Sequence, residues 1–369
     1  MISPDKSTRD ACADSQLSRR VVLKSAAAGA LTLAAGPTVL SAMQKAPKAK
    51  ALGSGEHTYE VVPNWGALPE SVKYGNCHGV CETGDGRIFI HNVSPTGDCV
   101  VEFDPDGKFL RSWGKEFGGG SHGMQLRREG NAEFLYFATT SNREVVKTDL
   151  KGERVFTIKG YPKEAVDSAG KELYQPNEKH TAEQRYAPTN TAFHPTDGSF
   201  YVADGYGSNF ITQYDKDGKW IRTWGGTGKD EGQLKCPHGI WTDTRDSENP
   251  TLVVADRANV RLCWFTLDGK FIKSVGDDLR HPCHFDQRGT DLLIPDLHGR
   301  LTIFDRNNRL ITHLGDNPDP AKRGNNGVGA DELVPGEFCT PHQAIWDRTG
   351  NIYVAEWLRI GRVTKLRRV

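Results

Sequence analysis

The chain has 369 residues, with 47 Lys and Arg balanced by 47 Asp and Glu, and it contains 40 Gly, 8 Cys and 12 His. At 37% hydrophobic and 25% charged it has the composition of a folded soluble chain, which excludes a disordered or membrane-embedded one. Zero net charge argues against a nucleic-acid binder, which needs a basic surface. Eight of the Lys and Arg but only three of the Asp fall within residues 1–50, so the remainder is mildly acidic.

Taken in chain order, the first feature is Ser18-Arg19-Arg20-Val21-Val22-Leu23-Lys24, followed by an apolar run of small residues over 25–36. The run is short of the ~18–20 residues that a membrane span needs, and the pattern is that of an export signal. The Arg-Arg pair with Leu-Lys behind it resembles the twin-arginine type, with Val22 where Phe is usual. That resemblance implies export of an already folded protein to the periplasm or beyond, and suits one that takes up a metal in the cytoplasm. Residues 1–50 are therefore read as signal and linker, and 51–369 as the folded domain. Seven Cys remain after the leader, an odd number, so at least one is unpaired or metal-bound.

From residue 76 the chain repeats at about 45 residues, which marks a repeat architecture. Each unit carries an apolar triplet ending in a small or polar residue: Ile88-Phe89-Ile90-His91-Asn92, Leu135-Tyr136-Phe137-Ala138-Thr139, Phe200-Tyr201-Val202-Ala203-Asp204, Leu252-Val253-Val254-Ala255-Asp256, Leu292-Leu293-Ile294-Pro295-Asp296 and Ile352-Tyr353-Val354-Ala355-Glu356. Asp-Gly turns follow (Asp106-Gly107, Asp217-Gly218, Asp268-Gly269), then strands closing in Trp-Gly (Trp113-Gly114, Trp224-Gly225). Such β-branched and aromatic runs between turn residues read as strands. Four strands in each of six units predict an all-β, six-bladed β-propeller. The last unit lacks its closing strand, and Tyr59 to Gly66 supplies the missing apolar–Trp–Gly piece. An N-terminal strand completing the last blade would close the ring and remove its open edges. Long polar connections at 160–188 and 315–339 read as surface loops on the face where the innermost strands begin, where binding usually resides.

The residues that open the innermost strands align as His78-Gly79, His122-Gly123, Asn190-Thr191, His238-Gly239, His284-Phe285 and His342-Gln343. Five of six are His, although neighbouring positions vary. Imidazoles converging on a narrow channel would repel if protonated, so a metal is the expected compensation. His122, His238 and His342 come from alternate blades and can meet on the axis, leaving a position open. His78, His284 and Asn190 are then supporting groups, substrate contacts or ligands of another ion. Cys77, Cys236, Cys283 and Cys339 lie within three residues of these histidines and read as buried structural thiols, with a soft-metal site as the sharper alternative. Tyr206 and Arg257 follow the second strands of their blades on the same face. A phenol and a guanidinium there suit an acid/base group and a carboxylate anchor.

Val202-Ala203-Asp204-Gly205-Tyr206, Pro237-His238-Gly239, Val254-Ala255-Asp256-Arg257 and Pro341-His342 together resemble the NHL-repeat propeller of peptidyl-α-hydroxyglycine α-amidating lyases. The resemblance covers nearly all of 58–369. It implies zinc on His122, His238 and His342, with Tyr206 catalytic and Arg257 in the active site. It also implies cleavage of a carbinolamide C–N bond to an amide and glyoxylate, and calcium as a second ion. The chain departs from the lyase pattern at Asn92, where an Arg is usual, at Gln343, where an Asp is usual, and at Thr340, where a Met is usual. The lyase disulfide cysteines are unmatched. A metal-dependent hydrolase or lactonase is the alternative enzyme, although those propellers usually hold their ion with carboxylates and Asn. A non-catalytic propeller that binds a protein or glycan is the alternative outside enzymology. The expected partner is a small-molecule or peptide substrate, with no nucleic acid, no membrane span in the mature chain, and a monomeric state.

Overall fold

A computed structural model describes residues 51–94, 97–173 and 186–369; the predicted leader and the middle of the 160–188 connection lie outside them. The described chain forms six antiparallel sheets. Blade 1 holds β3 (Asn76–Glu82), β4 (Ile88–Val93), β5 (Val100–Phe103) and β6 (Phe109–Trp113). Blade 2 holds β7 (Ser121–Glu129), β8 (Ala132–Thr139), β9 (Glu144–Asp149) and β10 (Arg154–Lys159). Blade 3 runs from β11 (Asn190–Phe193) through β12 (Phe200–Ala203) and β13 (Phe210–Tyr214) to β14 (Trp220–Gly225). Blade 4 runs from β15 (Pro237–Asp243) through β16 (Thr251–Asp256) and β17 (Arg261–Phe265) to β18 (Phe271–Val275). Blade 5 holds β19 (Asp286–Arg288), β20 (Asp291–Asp296), β21 (Arg300–Phe304) and β22 (Leu310–Leu314). Blade 6 holds β23 (Pro341–Trp346), β24 (Ile352–Glu356) and β25 (Arg362–Arg368). The chain is thus the six-bladed β-propeller that its periodicity predicts.

Ring closure comes from β2 (His57–Val62), which pairs antiparallel with β25, Tyr59 opposite Arg368 and Val62 opposite Lys365. The predicted strand ran on to Gly66, but the ladder stops at Val62. Pro63 has no N–H to donate, and Asn64 turns the backbone left-handed at φ 56°. Trp65 then packs between Phe103 of blade 1 and Tyr353 of blade 6. An unanticipated strand, β1 (Leu52–Ser54), pairs with β2 and makes the last sheet five-stranded.

The apolar triplets lie on the second strands, and their alternate residues face opposite neighbours. In blade 4, Leu252 and Val254 join Tyr201 and Ile211 of blade 3, whereas Val253 and Ala255 join Leu292 and Ile294 of blade 5. Each blade is buried on both faces, so the strands read as continuous apolar runs rather than alternating ones. The turn and closing motifs meet across blades. A Cβ added at Gly152 would stand 2.6 Å from Trp113, at Gly269 2.6 Å from Trp224, and at Gly107 2.7 Å from Trp65.

Candidate metal centre

The innermost strands follow one another round the axis and bring four imidazoles together. The ring of His122 lies 4.6 Å from that of His238 and 4.8 Å from that of His342, and His238 and His342 are 4.6 Å apart. His78 joins them, 4.8 Å from His122 and 4.5 Å from His342. All four are buried, and the ligand atoms of His78, His122 and His342 lie within 4.8 Å of one another.

Three of these rings are oriented by the same device. Nδ1–H of His122 donates to the carbonyl of Thr189 at 2.7 Å, that of His238 to Cys283 at 2.9 Å, and that of His342 to His78 at 2.9 Å. A carbonyl can only accept, so each neutral ring presents the lone pair of Nε2 inward. Nε2 of His122 is buried with no hydrogen-bond partner. The glycine after the histidine permits this approach. A Cβ at Gly123 would fall 2.4 Å from the Thr189 carbonyl oxygen, and one at Gly239 2.4 Å from that of Cys283. Gln343 takes this position in blade 6, and its Nε2 donates to the carbonyls of Val80 at 2.9 Å and Met124 at 3.2 Å.

Burial is the main cause that holds the His78, His122 and His238 pKa values well below the usual imidazole range, with neighbouring imidazoles adding to it; at His238 the Arg257 charge is the next cause. Burial likewise pushes His342 down to about 3. The cluster therefore consists of neutral imidazoles, the protonation state that binds transition metals. An orphaned buried Nε2, three tautomers fixed by carbonyls and an all-nitrogen donor set fit a zinc-type ion.

Tyr206 and Arg257 both reach this cluster. Gly205 places the tyrosine, because a Cβ there would fall 2.2 Å from the Pro237 carbonyl oxygen. Tyr206 Oη lies 3.3 Å from His238 Nε2, and its ring stands edge-on to His122 at 5.1 Å. Arg257 Nη2 donates to Tyr206 Oη at 3.0 Å and to Cys236 Sγ at 3.3 Å. Burial pushes the phenol pKa up, and the adjacent Arg257 charge opposes that shift.

The other predicted residues sit differently. His284 Nε2 is 2.7 Å from Gln125 Nε2, and its ring packs 6.5 Å from Trp241. It also precedes β19 instead of opening it. Ahead of that strand Pro282 bridges Asp296 and Cys283 N–H donates to the Pro295 carbonyl at 2.9 Å, while Pro295 itself has no N–H to extend the ladder. Asn190 Oδ1 accepts its neighbour's Thr191 N–H at 2.7 Å. The seven described cysteines are all buried. Burial pushes the Cys283 thiol up to about 12, so it stays protonated, as a structural thiol does.

Sequence reasoning missed the positioning groups. His91 Nδ1–H donates to the His122 carbonyl at 3.1 Å from behind the first strand. The polar residues that end the triplets clamp the loops leading into the innermost strands. Asp204 accepts from Ala187 N–H at 2.5 Å and Asp256 from Lys235 N–H at 2.6 Å. Glu356 accepts from Cys339 N–H at 2.8 Å, and Asp296 from Arg280 N–H at 2.8 Å. Asn92 does the same to Gly75 N–H at 3.1 Å. The recurring polar ending was visible in the repeat; that it faces inward onto backbone was not.

No protein-family model matches the chain. It is 31% identical over 206 residues to peptidyl-glycine alpha-amidating monooxygenase B of Xenopus laevis, a match covering 53% of this chain and 21% of that protein. The corresponding Mus musculus protein is 28% identical over 186 residues, 48% of this chain and 17% of that one. The match thus spans about a fifth of the length of these curated relatives. Among solved structures, a catalytically inactive virginiamycin B lyase from Staphylococcus aureus aligns with TM-score 0.53 at 12% identity, over 84% of this chain and 98% of that one. A Bacteroides thetaiotaomicron protein of unknown function aligns with TM-score 0.54 at 14% identity, over 80% and 70%. At those identities the structures speak for the fold alone. Among the described residues no helix is long and apolar enough to cross a membrane. The chain is a six-bladed β-propeller similar in sequence, over about half its length, to the peptidyl-glycine alpha-amidating monooxygenases.

Proposed function

We propose that this propeller is an exported, zinc-dependent lyase that cleaves the C–N bond of an N-acyl-α-hydroxyglycine, releasing the amide and glyoxylate. The observation that carries this reading is the placement of Tyr206 Oη, 3.3 Å from His238 Nε2 and 3.0 Å from Arg257 Nη2, at the edge of a cluster of neutral histidines. His122, His238 and His342 would hold the metal through Nε2. When bound, such an ion supplies Lewis acidity toward a substrate oxygen.

In the reaction the carbinol O–H pair becomes the second bond of the new aldehyde, and the C–N pair leaves on the amide nitrogen. One proton moves from the hydroxyl oxygen to that nitrogen, and no oxidant is required. Tyr206 is the hydroxyl placed to carry the proton. Burial keeps it protonated at rest, so it can donate to the leaving nitrogen, while the Arg257 N–H stabilises the phenolate until the substrate proton returns to it. Arg257 also offers a planar cation to the substrate carboxylate. Asn92, a neutral amide, adds no second cation, and its hydrogen bonds go to Gly75 N–H and the Cys99 carbonyl.

The export part of the proposal rests on the Arg19-Arg20 leader. The catalytic part is tested by incubating the purified chain with an N-acyl-α-hydroxyglycine and measuring glyoxylate. Release that depends on the metal supports it, and no release from metal-loaded protein overturns it.

A further inference from the structure

Resting on the reading that the cluster binds a metal, we infer that His78 is a fourth ligand, bound through Nδ1, and that the centre is a four-imidazole one. His78 is the odd member of the group. His122, His238 and His342 each spend Nδ1–H on a backbone carbonyl, whereas His78 directs Nδ1 into the cluster, 3.3 Å from Nε2 of His342. That separation is long for a hydrogen bond. It matches the edge of a tetrahedron, since two nitrogens bound at ~2.0–2.1 Å to one ion stand about 3.3–3.4 Å apart.

The backbone pins His78 in this place. Its own carbonyl takes the Nδ1–H of His342, so residue 78 orients one ligand while its side chain meets that ligand's other nitrogen. Gly79 keeps the strand close to blade 2, because a Cβ there would fall 2.8 Å from that of Met124. His78 is 6% exposed, and its ligand atom groups with those of His122 and His342. His238 stands outside that group of three, its ring 4.6 Å from those of His122 and His342, and a four-imidazole centre draws it in. Among the described residues no carboxylate joins that group, so an ion here would keep its full charge. A substrate oxygen would then enter as a fifth donor, a coordination number that zinc reaches during catalysis.

The test is to label the full-length chain with nitrogen-15 histidine, load it with cadmium-113, and count the rings showing one-bond cadmium–nitrogen coupling. The inference predicts four coupled rings, three through Nε2 and one through Nδ1, with the Nδ1 coupling absent in His78→Gln and the other three retained. Three coupled rings, all through Nε2 and none belonging to His78, would overturn the inference and leave the three-histidine centre standing. Coupling at His78 without His238 would overturn it as well. A chain that binds no cadmium would overturn both the inference and the metal reading beneath it.

Discussion

Tyr206 and His238 come from different blades and meet at the axis, phenol oxygen to Nε2 at 3.3 Å, although 32 residues separate them in the chain. The tyrosine hydroxyl is the single atom by which Tyr206→Phe differs, since the ring that packs against His122 is preserved. Tyr206→Phe should retain the metal and lose glyoxylate release by about 100-fold or more, the lower range for removing a proton-transfer group. Full activity in that variant would remove Tyr206 from the chemistry.

Gly239 tests the orienting device. In Gly239→Ala the new Cβ would fall 2.4 Å from the Cys283 carbonyl oxygen and 2.7 Å from His284 Cα, so β15 must retreat from blade 5. That retreat draws His238 Nδ1 off its carbonyl, and metal affinity should fall about 10–100-fold, as loss of a ligand-orienting partner usually causes. Gly289 on blade 5 is a control, having nothing within 4 Å of its Cβ position. Gly289→Ala should leave the affinity unchanged in a metal-titration experiment.

Asp286 makes the stability depend on pH in an unusual sense. Its carboxylate accepts the Trp346 N–H at 2.6 Å, and loss of hydration pushes its pKa from 3.8 up to about 7. The folded state therefore binds this proton more tightly than the unfolded chain does. Its contribution favours folding at low pH and is lost as pH rises from about 4 to about 7. Asp286→Asn keeps an acceptor for Trp346 and removes the titration. The melting temperature of the variant relative to the parent should rise by several degrees between pH 4 and pH 7. A constant difference across that range would contradict the assignment.

The contact between Trp224 and Gly269 predicts a purely structural effect. Gly269 lies at φ +92°, and a Cβ there would stand 2.6 Å from the indole of the preceding blade. Gly269→Ala should cost about 2–4 kcal/mol, combining overpacking with a left-handed backbone. Gly130, at φ +60° with open space around it, should cost only about 1 kcal/mol. Denaturant titration of the two variants separates backbone strain from the inter-blade clash.

Much of this architecture was legible because repetition exposes register. The apolar triplets located the second strands, and counting back from them put His122, His238 and His342 on alternate blades. Tyr206 and Arg257 were legible for the same reason, as residues following equivalent strand ends. What register does not carry is the direction in which a ring nitrogen points, so His78 and His284 looked alike. One lies in the cluster; the other contacts Gln125. Contacts between units were also hidden. Trp-Gly and Asp-Gly recur as separate motifs, and only the fold shows that the tryptophan of one blade rests on the turn glycine of the next. β1 escaped notice because three residues ending near Gly55 hold too little pattern to mark a strand.

The most direct test of the account is the metal content of the purified full-length chain, determined by elemental analysis beside the variant His122→Ala/His238→Ala/His342→Ala. The account predicts one zinc-type ion per chain in the parent and none in the triple variant, with both proteins showing the β-rich circular dichroism of an intact propeller. A folded parent that carries no stoichiometric metal and takes none up on addition would contradict it.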